Sequence, residues 1–295
     1  MKKQILISIV IVAGLVLASS GCIESEETIV IGGKTFNEQY ILPEMVAILL
    51  EEQGYNTDVK TGLNSQPLYE GMKTGEIDIY VEYTGTAYSE LLGLELLDIW
   101  DPEVVYDAVV ENLANDNIIV LFKLGFEDAY SIAVKEEWAS ANNVINISDL
   151  ENFASNMTFG SDLVFHERPD GLPNLNSIYN ITFGEIKSME PTLMYNAIEN
   201  DEVDAIPPYT TDTRIDSYNL RVLIDDKAAL PPYEAVFLVT DEISQNKTIV
   251  DVLSVLDGIV TAEKMREMNA EWDIEKRNER DVAREFLVAE GLLIE

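Results

Sequence analysis

The chain has 295 residues, 47% of them hydrophobic and 25% charged, with 54 acidic side chains against 19 basic ones and a formal net charge of −35. So negative a surface repels phosphate backbones, which disfavours nucleic acid as a partner; it favours solubility and cationic solutes, and it equally suits a solvated coat for a salty habitat. One cysteine and one histidine exclude an intramolecular disulfide, a Cys/His catalytic pair and a histidine-rich metal site.

The chain opens with Met1-Lys2-Lys3, an apolar run from Ile5 to Ala18, and Ser19-Ser20-Gly21-Cys22. Two lysines, a short apolar stretch and small residues before a cysteine read as a secretory signal over residues 1–21, because the run is too short to cross about 30 Å of hydrocarbon. Cys22 is then the expected point of lipid attachment and residues 22–27 a tether on the extracytoplasmic face of the cell membrane. The alternative is ordinary cleavage near Ser20 or Gly21, which leaves a bystander thiol. Without the leader, 17 basic residues face 54 acidic ones, a net charge of −37. The remaining length is enough for two lobes with a core each. Four Asn-x-Ser/Thr triplets, beginning at Asn146, Asn156, Asn180 and Asn246, are compatible with a surface-exposed exported protein.

Thr28 to Gly32 reads as a buried parallel strand, Asn37 to Gly54 as a helix with apolar Ile41, Met45, Ile48 and Leu49, and Thr57 to Thr61 as the next strand. Leu68 to Thr74 is a short helix. In Ile77 to Val81 the alternation puts Ile77, Ile79 and Val81 on one face and Asp78, Tyr80 and Glu82 on the other, and the strand runs into Tyr83-Thr84-Gly85-Thr86, where a glycine allows close approach of a guest. A helix over Pro102 to Asn115 and a strand over Ile118 to Leu121 follow. The pattern restarts at Ala129 to Val134 and continues through Met157 to Gly160 and Val203 to Ile206, closing with Leu220 to Ile224. Tyr233 to Val239 is a return strand, and helices over Ile249 to Ala262 and Asp281 to Leu293 are expected on the first lobe. The alternation predicts an α/β fold with ligands at strand carboxyl ends. Its domains are a discontinuous lobe 1 (28–127 plus 228–295) and a lobe 2 (128–227).

Enzyme chemistry is poorly supplied: no Gly-x-Ser-x-Gly or Gly-x4-Gly-Lys-Ser/Thr pattern occurs, and His166 has no nucleophile in view. Carboxylates are so abundant that no Asp/Glu dyad is informative. What does stand out is a set of segments in order: Gly33-Lys34-Thr35-Phe36-Asn37-Glu38-Gln39, Glu82-Tyr83-Thr84-Gly85-Thr86, Phe165 to Gly171 (FHERPDG), Thr210-Thr211-Asp212, and Asp225-Asp226-Lys227 with Pro231-Pro232-Tyr233. This set resembles the glycine betaine/osmoprotectant substrate-binding proteins of ABC importers, in their ProX-like and OpuC-type branch. The resemblance runs from about Thr28 to Leu293.

The resemblance implies a type II periplasmic-binding-protein fold, with two α/β lobes joined by two crossover strands and the ligand cleft between them. It also implies a tyrosine cage for a quaternary ammonium, at Tyr83, Tyr130, Tyr209 and Tyr233, and a carboxylate clamp from Arg168, Lys34 and Thr86. A trimethylammonium has no N–H to donate, so it is recognised through diffuse charge and methyl surface, which electron-rich ring faces match. The further implications are an ABC permease with its ATPase as partner, a monomer, no metal, no cofactor and no catalysis. Same-fold capture of choline, carnitine or another small solute is the alternative, with a secreted hydrolase or a regulator's effector domain further off; simple amino acids are disfavoured because their ammonium groups want carboxylate or carbonyl acceptors. Lys34 could instead form a structural ion pair with Glu38.

Overall fold

A computed structural model describes residues 28–294 apart from 96, 98 and 168. The leader 1–21, Cys22, the tether 22–27 and Arg168 therefore lie outside the described residues.

Ten strands form two five-stranded sheets. The first contains β1 (Ile29–Gly32), β2 (Thr57–Lys60), β3 (Ile79–Tyr83) and β4 (Ile118–Glu127). The second contains β5 (Ile132–Lys135), β6 (Thr158–Ser161), β7 (Glu185–Ser188), β8 (Ala205–Ile206) and β9 (Leu220–Leu223), after which β10 (Glu234–Thr240) returns to the first. The spatial orders are β2-β1-β3-β10-β4 and β7-β6-β8-β5-β9. Each sheet thus holds a parallel trio and one antiparallel strand, β10 against β3 and β4, β5 against β8 and β9. These two antiparallel strands are the ones the chain lays down just after crossing between the sheets.

The inner strands β1 and β3 are buried because helices cover both faces of the sheet, whereas the outer strands β2 and β7 are polar and partly exposed. On the first sheet one layer packs the helix Glu38–Glu51 and the helix Glu279–Ala289 around Ile41, Met45 and Leu50, and the other gathers Leu68, Tyr80 and Trp100. The second sheet carries equivalent layers around Phe159 and Phe165 on one side and Tyr195 and Ile198 on the other.

Two expectations are corrected. The helix expected over Ile249 to Ala262 stops at Leu253; a single tight turn, Ser254–Leu256, leads to Gly258 at φ +67°. The stop is tertiary in origin, since the Gly258 backbone lies against Gly125 of β4 so closely that a Cβ on Gly125 would come within 2.8 Å of it. A separate helix, Ala262–Asp273, follows, its Thr261 hydroxyl accepting from the Lys264 N–H at 3.2 Å. Glu82, placed on the polar face by alternation, is fully buried.

Candidate functional site

At the carboxyl ends of β1, β2 and β3, against the two crossing segments, lies a cavity of about 470 Å³. Lys34, Tyr83, Thr86, Tyr130, Tyr209 and Tyr233 all line it, so the structure brings six of the seven expected ligand residues together; the seventh is Arg168. Glu38, Asp128, Thr211 and Asn269 also line it, and none of these was a candidate from sequence.

Sequence fixes the local geometry in three places. After β1 the chain turns at Gly33, where a Cβ would come within 2.3 Å of the Gln39 carbonyl. Pro43 supplies no N–H to that carbonyl inside the helix, so the turn and the first helical turn are built against one another. Gln39, wholly buried, ties this loop to β3: its amide donates to the Val81 carbonyl at 3.0 Å and the Tyr83 hydroxyl at 3.1 Å, while its oxygen accepts from the Lys34 N–H at 3.1 Å.

At the end of β3, Thr84 accepts from the Glu234 N–H and donates to the Pro232 carbonyl, both at 3.1 Å. Gly85 lies under Tyr233: a Cβ there would sit 2.7 Å from the Pro232 carbonyl and 2.9 Å from the tyrosine ring. Backbone atoms cannot yield as a flexible side chain can, so Gly85→Ala is expected to displace Tyr233 and to lower stability by about 1–3 kcal/mol. Denaturant unfolding measures it, and an unchanged midpoint would contradict this seating.

The crossing segments form the far wall. Tyr130 and Tyr209 face each other in an isolated antiparallel bridge, with ring centroids 4.6 Å apart and the Tyr209 hydroxyl 2.8 Å from that of Tyr130. Phe165 of the FHERPDG stretch backs Tyr130 at 4.8 Å.

The electrostatics are dominated by carboxylates. Lys34 pairs with Glu82 and not with Glu38, and its ammonium lies 4.9 Å from the Tyr83 ring centroid. Glu82 also accepts from the Tyr83 N–H at 2.7 Å and the Tyr80 hydroxyl at 3.2 Å. Glu38 accepts from the Tyr83 hydroxyl at 3.0 Å and the Asn269 amide at 2.9 Å. Burial raises the Glu38 carboxyl above the ordinary carboxylate range. Burial, then the neighbouring Glu38 charge, pushes Asp128 well above its own. The same two causes keep the Tyr83 phenol protonated far into alkali. Among the described residues no group of three His, Cys, Asp or Glu is placed to hold a metal, and no helix is long and apolar enough to cross a membrane.

Asn269 was invisible in sequence because its helix was not expected, although it interrupts the apolar run of Met265, Met268 and Trp272. Glu38 and Thr211 stood within the motif segments, but they and Asp128 looked no different from many other polar residues.

A ring-lined cleft beside two sheets of equal strand order is the architecture of a two-lobed solute receptor. The comparisons with known proteins agree. Residues 27–289 match the family described as the substrate binding domain of an ABC-type glycine betaine transport system, and the chain belongs to that family. It is 29% identical over 300 residues to the ergothioneine transport permease/ergothioneine binding protein of Helicobacter pylori (strain G27), covering 99% of this chain but only 54% of that protein. It is 32% identical over 301 residues to the glycine-betaine-binding protein of Pseudomonas aeruginosa PAO1, covering 96% of each. A crystal structure of a glycine betaine/carnitine/choline ABC transporter superposes with a TM-score of 0.83 at 26% identity, covering 88% of this chain and 98% of that one. The fold is therefore the periplasmic-binding-protein type expected, and the protein is a substrate-binding component of ABC transport that works with a permease outside the cytoplasm, not an enzyme.

Proposed function

We propose that the chain captures glycine betaine or a close trimethylammonium relative in a cage of Tyr83, Tyr130, Tyr209 and Tyr233, and delivers it unchanged to its permease and ATPase. The observation that carries this reading is the meeting of these four tyrosines on one cavity of about 470 Å³. Supporting it, the solutes named for the relatives (glycine betaine, carnitine, choline and ergothioneine) all carry a trimethylammonium group. Each desolvated ring contributes roughly 0.5–2 kcal/mol to holding such a cation, so several are needed for useful affinity.

In this reading the ligand carboxylate meets Arg168, which can grip it through paired N–H groups, with Lys34 and Thr86 beside it. Lys34 shares its charge with Glu82, so Arg168 carries most of the anion's binding. Residues 28–127 with 228–295 act as lobe 1 and residues 128–227 as lobe 2. Ligand contacts from both favour closure, and the closed monomer is what the permease reads. Residues 1–21 serve as the export signal, and Cys22, followed by the 22–27 tether, as the lipid anchor. A second reading, a receptor for choline, is favoured by the carboxylates of Glu38 and Asp128 on the cleft wall.

Isothermal titration calorimetry of the full chain distinguishes these readings. Glycine betaine is expected to bind more tightly than choline, and Arg168→Ala to remove that preference. Choline binding more tightly and being indifferent to Arg168→Ala would establish the second reading. Binding of neither would overturn both.

A further inference from the structure

Two acidic side chains on the cleft wall, Glu38 and Asp128, have no part in the proposed cage or clamp. Glu38 is 2% exposed at the start of its helix, and Asp128 lies where the chain leaves β4 for the second sheet. One hydroxyl stands between them: Thr211 Oγ is 2.7 Å from Asp128 Oδ1 and 3.4 Å from Glu38 Oε1.

The charges around the pair are already matched. Lys34, from the loop before the helix, is spent on Glu82 of β3. Asp212, beside Thr211, is held by Arg214 at 2.5 Å. Arg266 is engaged by Asp216 at 2.8 Å and by the Thr210 carbonyl at 3.0 Å. Towards Glu38, β3 presents the phenol of Tyr83 and the helix Ala262–Asp273 the uncharged amide of Asn269. Among the described residues, neither Glu38 nor Asp128 has a cation in salt-bridge contact.

A threonine hydroxyl has one hydrogen, so it serves one carboxylate at a time. With both acids ionised, that hydrogen goes to Asp128 at the shorter distance and the oxygen lone pairs face Glu38. With a proton on Glu38, the run closes: the Glu38 carboxyl donates to Thr211, and Thr211 donates to the Asp128 carboxylate. Glu38 is buried and Asp128 half-buried beside it, and two acids sharing one hydroxyl in such a shielded place cannot both ionise cheaply and titrate as a pair. The upward shifts of both carboxyls, caused first by burial, agree with this arrangement.

We propose that Glu38 and Asp128 share one proton across Thr211 in the empty cleft and release it when a cationic ligand enters, so that binding exchanges a proton for a trimethylammonium. The exchange rests on the ligand reading above. The carboxyl O–H bond breaks heterolytically, its electron pair stays on the carboxylate, and the proton passes to water or buffer. The uncompensated charge is then offset by the ligand cation. Affinity accordingly rises with pH, by up to about tenfold per pH unit, between the ordinary carboxylate range and the raised value of the pair. Stability of the ligand-free protein runs the other way. Its folded form holds a proton that the unfolded chain gives up, so stability is greatest below the ordinary carboxylate range and falls as pH rises through the raised value.

Two measurements on the full chain test this. Infrared spectroscopy of the ligand-free protein, titrated upward from the ordinary carboxylate range, is expected to show a protonated-carboxyl band that persists above that range and that Glu38→Gln and Asp128→Asn each remove; its absence overturns the shared proton. Calorimetry with glycine betaine in buffers of different ionisation heat is expected to register release of about one proton per ligand, lost in Asp128→Asn. Binding with no proton release overturns the exchange while leaving the betaine reading intact. If betaine fails to bind, that reading falls, and with it the exchange, while the infrared band still decides whether the two acids share a proton.

Discussion

Lys34→Met is expected to cost the protein about 3–5 kcal/mol of folding stability, because it removes one partner of a buried ion pair and leaves the other uncompensated. The side chains of Lys34 and Glu82 are 6% and 0% exposed, so the Glu82 carboxylate lies desolvated behind the ammonium that pairs with it. The Tyr83 N–H and the Tyr80 hydroxyl remain as donors, but neither carries a charge. The double variant Lys34→Met/Glu82→Gln should recover much of the loss, since replacing both members of a buried pair is often close to neutral. Urea unfolding of the single and double variants measures both effects. A single variant as stable as the parent would mean that the pair is open to solvent, against the burial of both side chains. This tie also places Lys34 across the end of β3, where a structural lysine lies on the cleft wall.

The second large effect is expected on binding. Tyr130→Ala and Tyr209→Ala should each lower glycine betaine affinity by about 1–3 kcal/mol, roughly five- to a hundredfold, from loss of a ring and loosening of its neighbour. Because the rings lie 4.6 Å apart and their hydroxyls are hydrogen bonded, the two losses should not add. A coupling of about 0.5–1.5 kcal/mol is the expected size for such a ring pair. Titration calorimetry of the parent, both single variants and the double variant closes the cycle. Additive losses would mean that each tyrosine meets the ligand independently of the other. Affinity unchanged in both single variants would remove this wall from the cage.

On the proposed reading, the carboxylate pair gives a reason for cation capture that does not depend on the strongly negative surface. Surface charge is screened within about 8 Å at physiological ionic strength, whereas Glu38 and Asp128 act at the wall itself. An extracytoplasmic receptor meets changing external salt and pH, and the exchange of a proton for a ligand cation would make its loading sensitive to pH while leaving it tolerant of salt.

Much of the candidate site is legible in the amino-acid sequence. Gly33 to Gln39, Tyr83 to Thr86 and the Pro-Pro-Tyr segments each combine a backbone device with a side chain able to meet a ligand, and such combinations survive as local patterns. That neither side of β3 is wet is not legible there. Alternation assigns Glu82 to a polar face, and only the arrival of Lys34, far away in sequence, makes its burial tolerable. The break at Gly258 is hidden for a similar reason, because it answers the close approach of Gly125 rather than any local signal strong enough to stop a helix.

By itself, then, the sequence determined the α/β alternation, the acidic and histidine-poor composition, and the glycines that let the chain turn at the cleft. These depend on periodicity, composition and backbone freedom, which act over a few residues. Only the tertiary structure decided that Lys34 pairs with Glu82, that Tyr130 and Tyr209 meet as a tilted ring pair, and that Glu38, Thr211, Asp128 and Asn269 come together. Glu38 and Asn269 are 231 positions apart, and Thr211 reaches Glu38 across 173. No local pattern specifies such a meeting, because the energy of a buried polar contact depends on which partners the completed fold delivers and on the water it excludes.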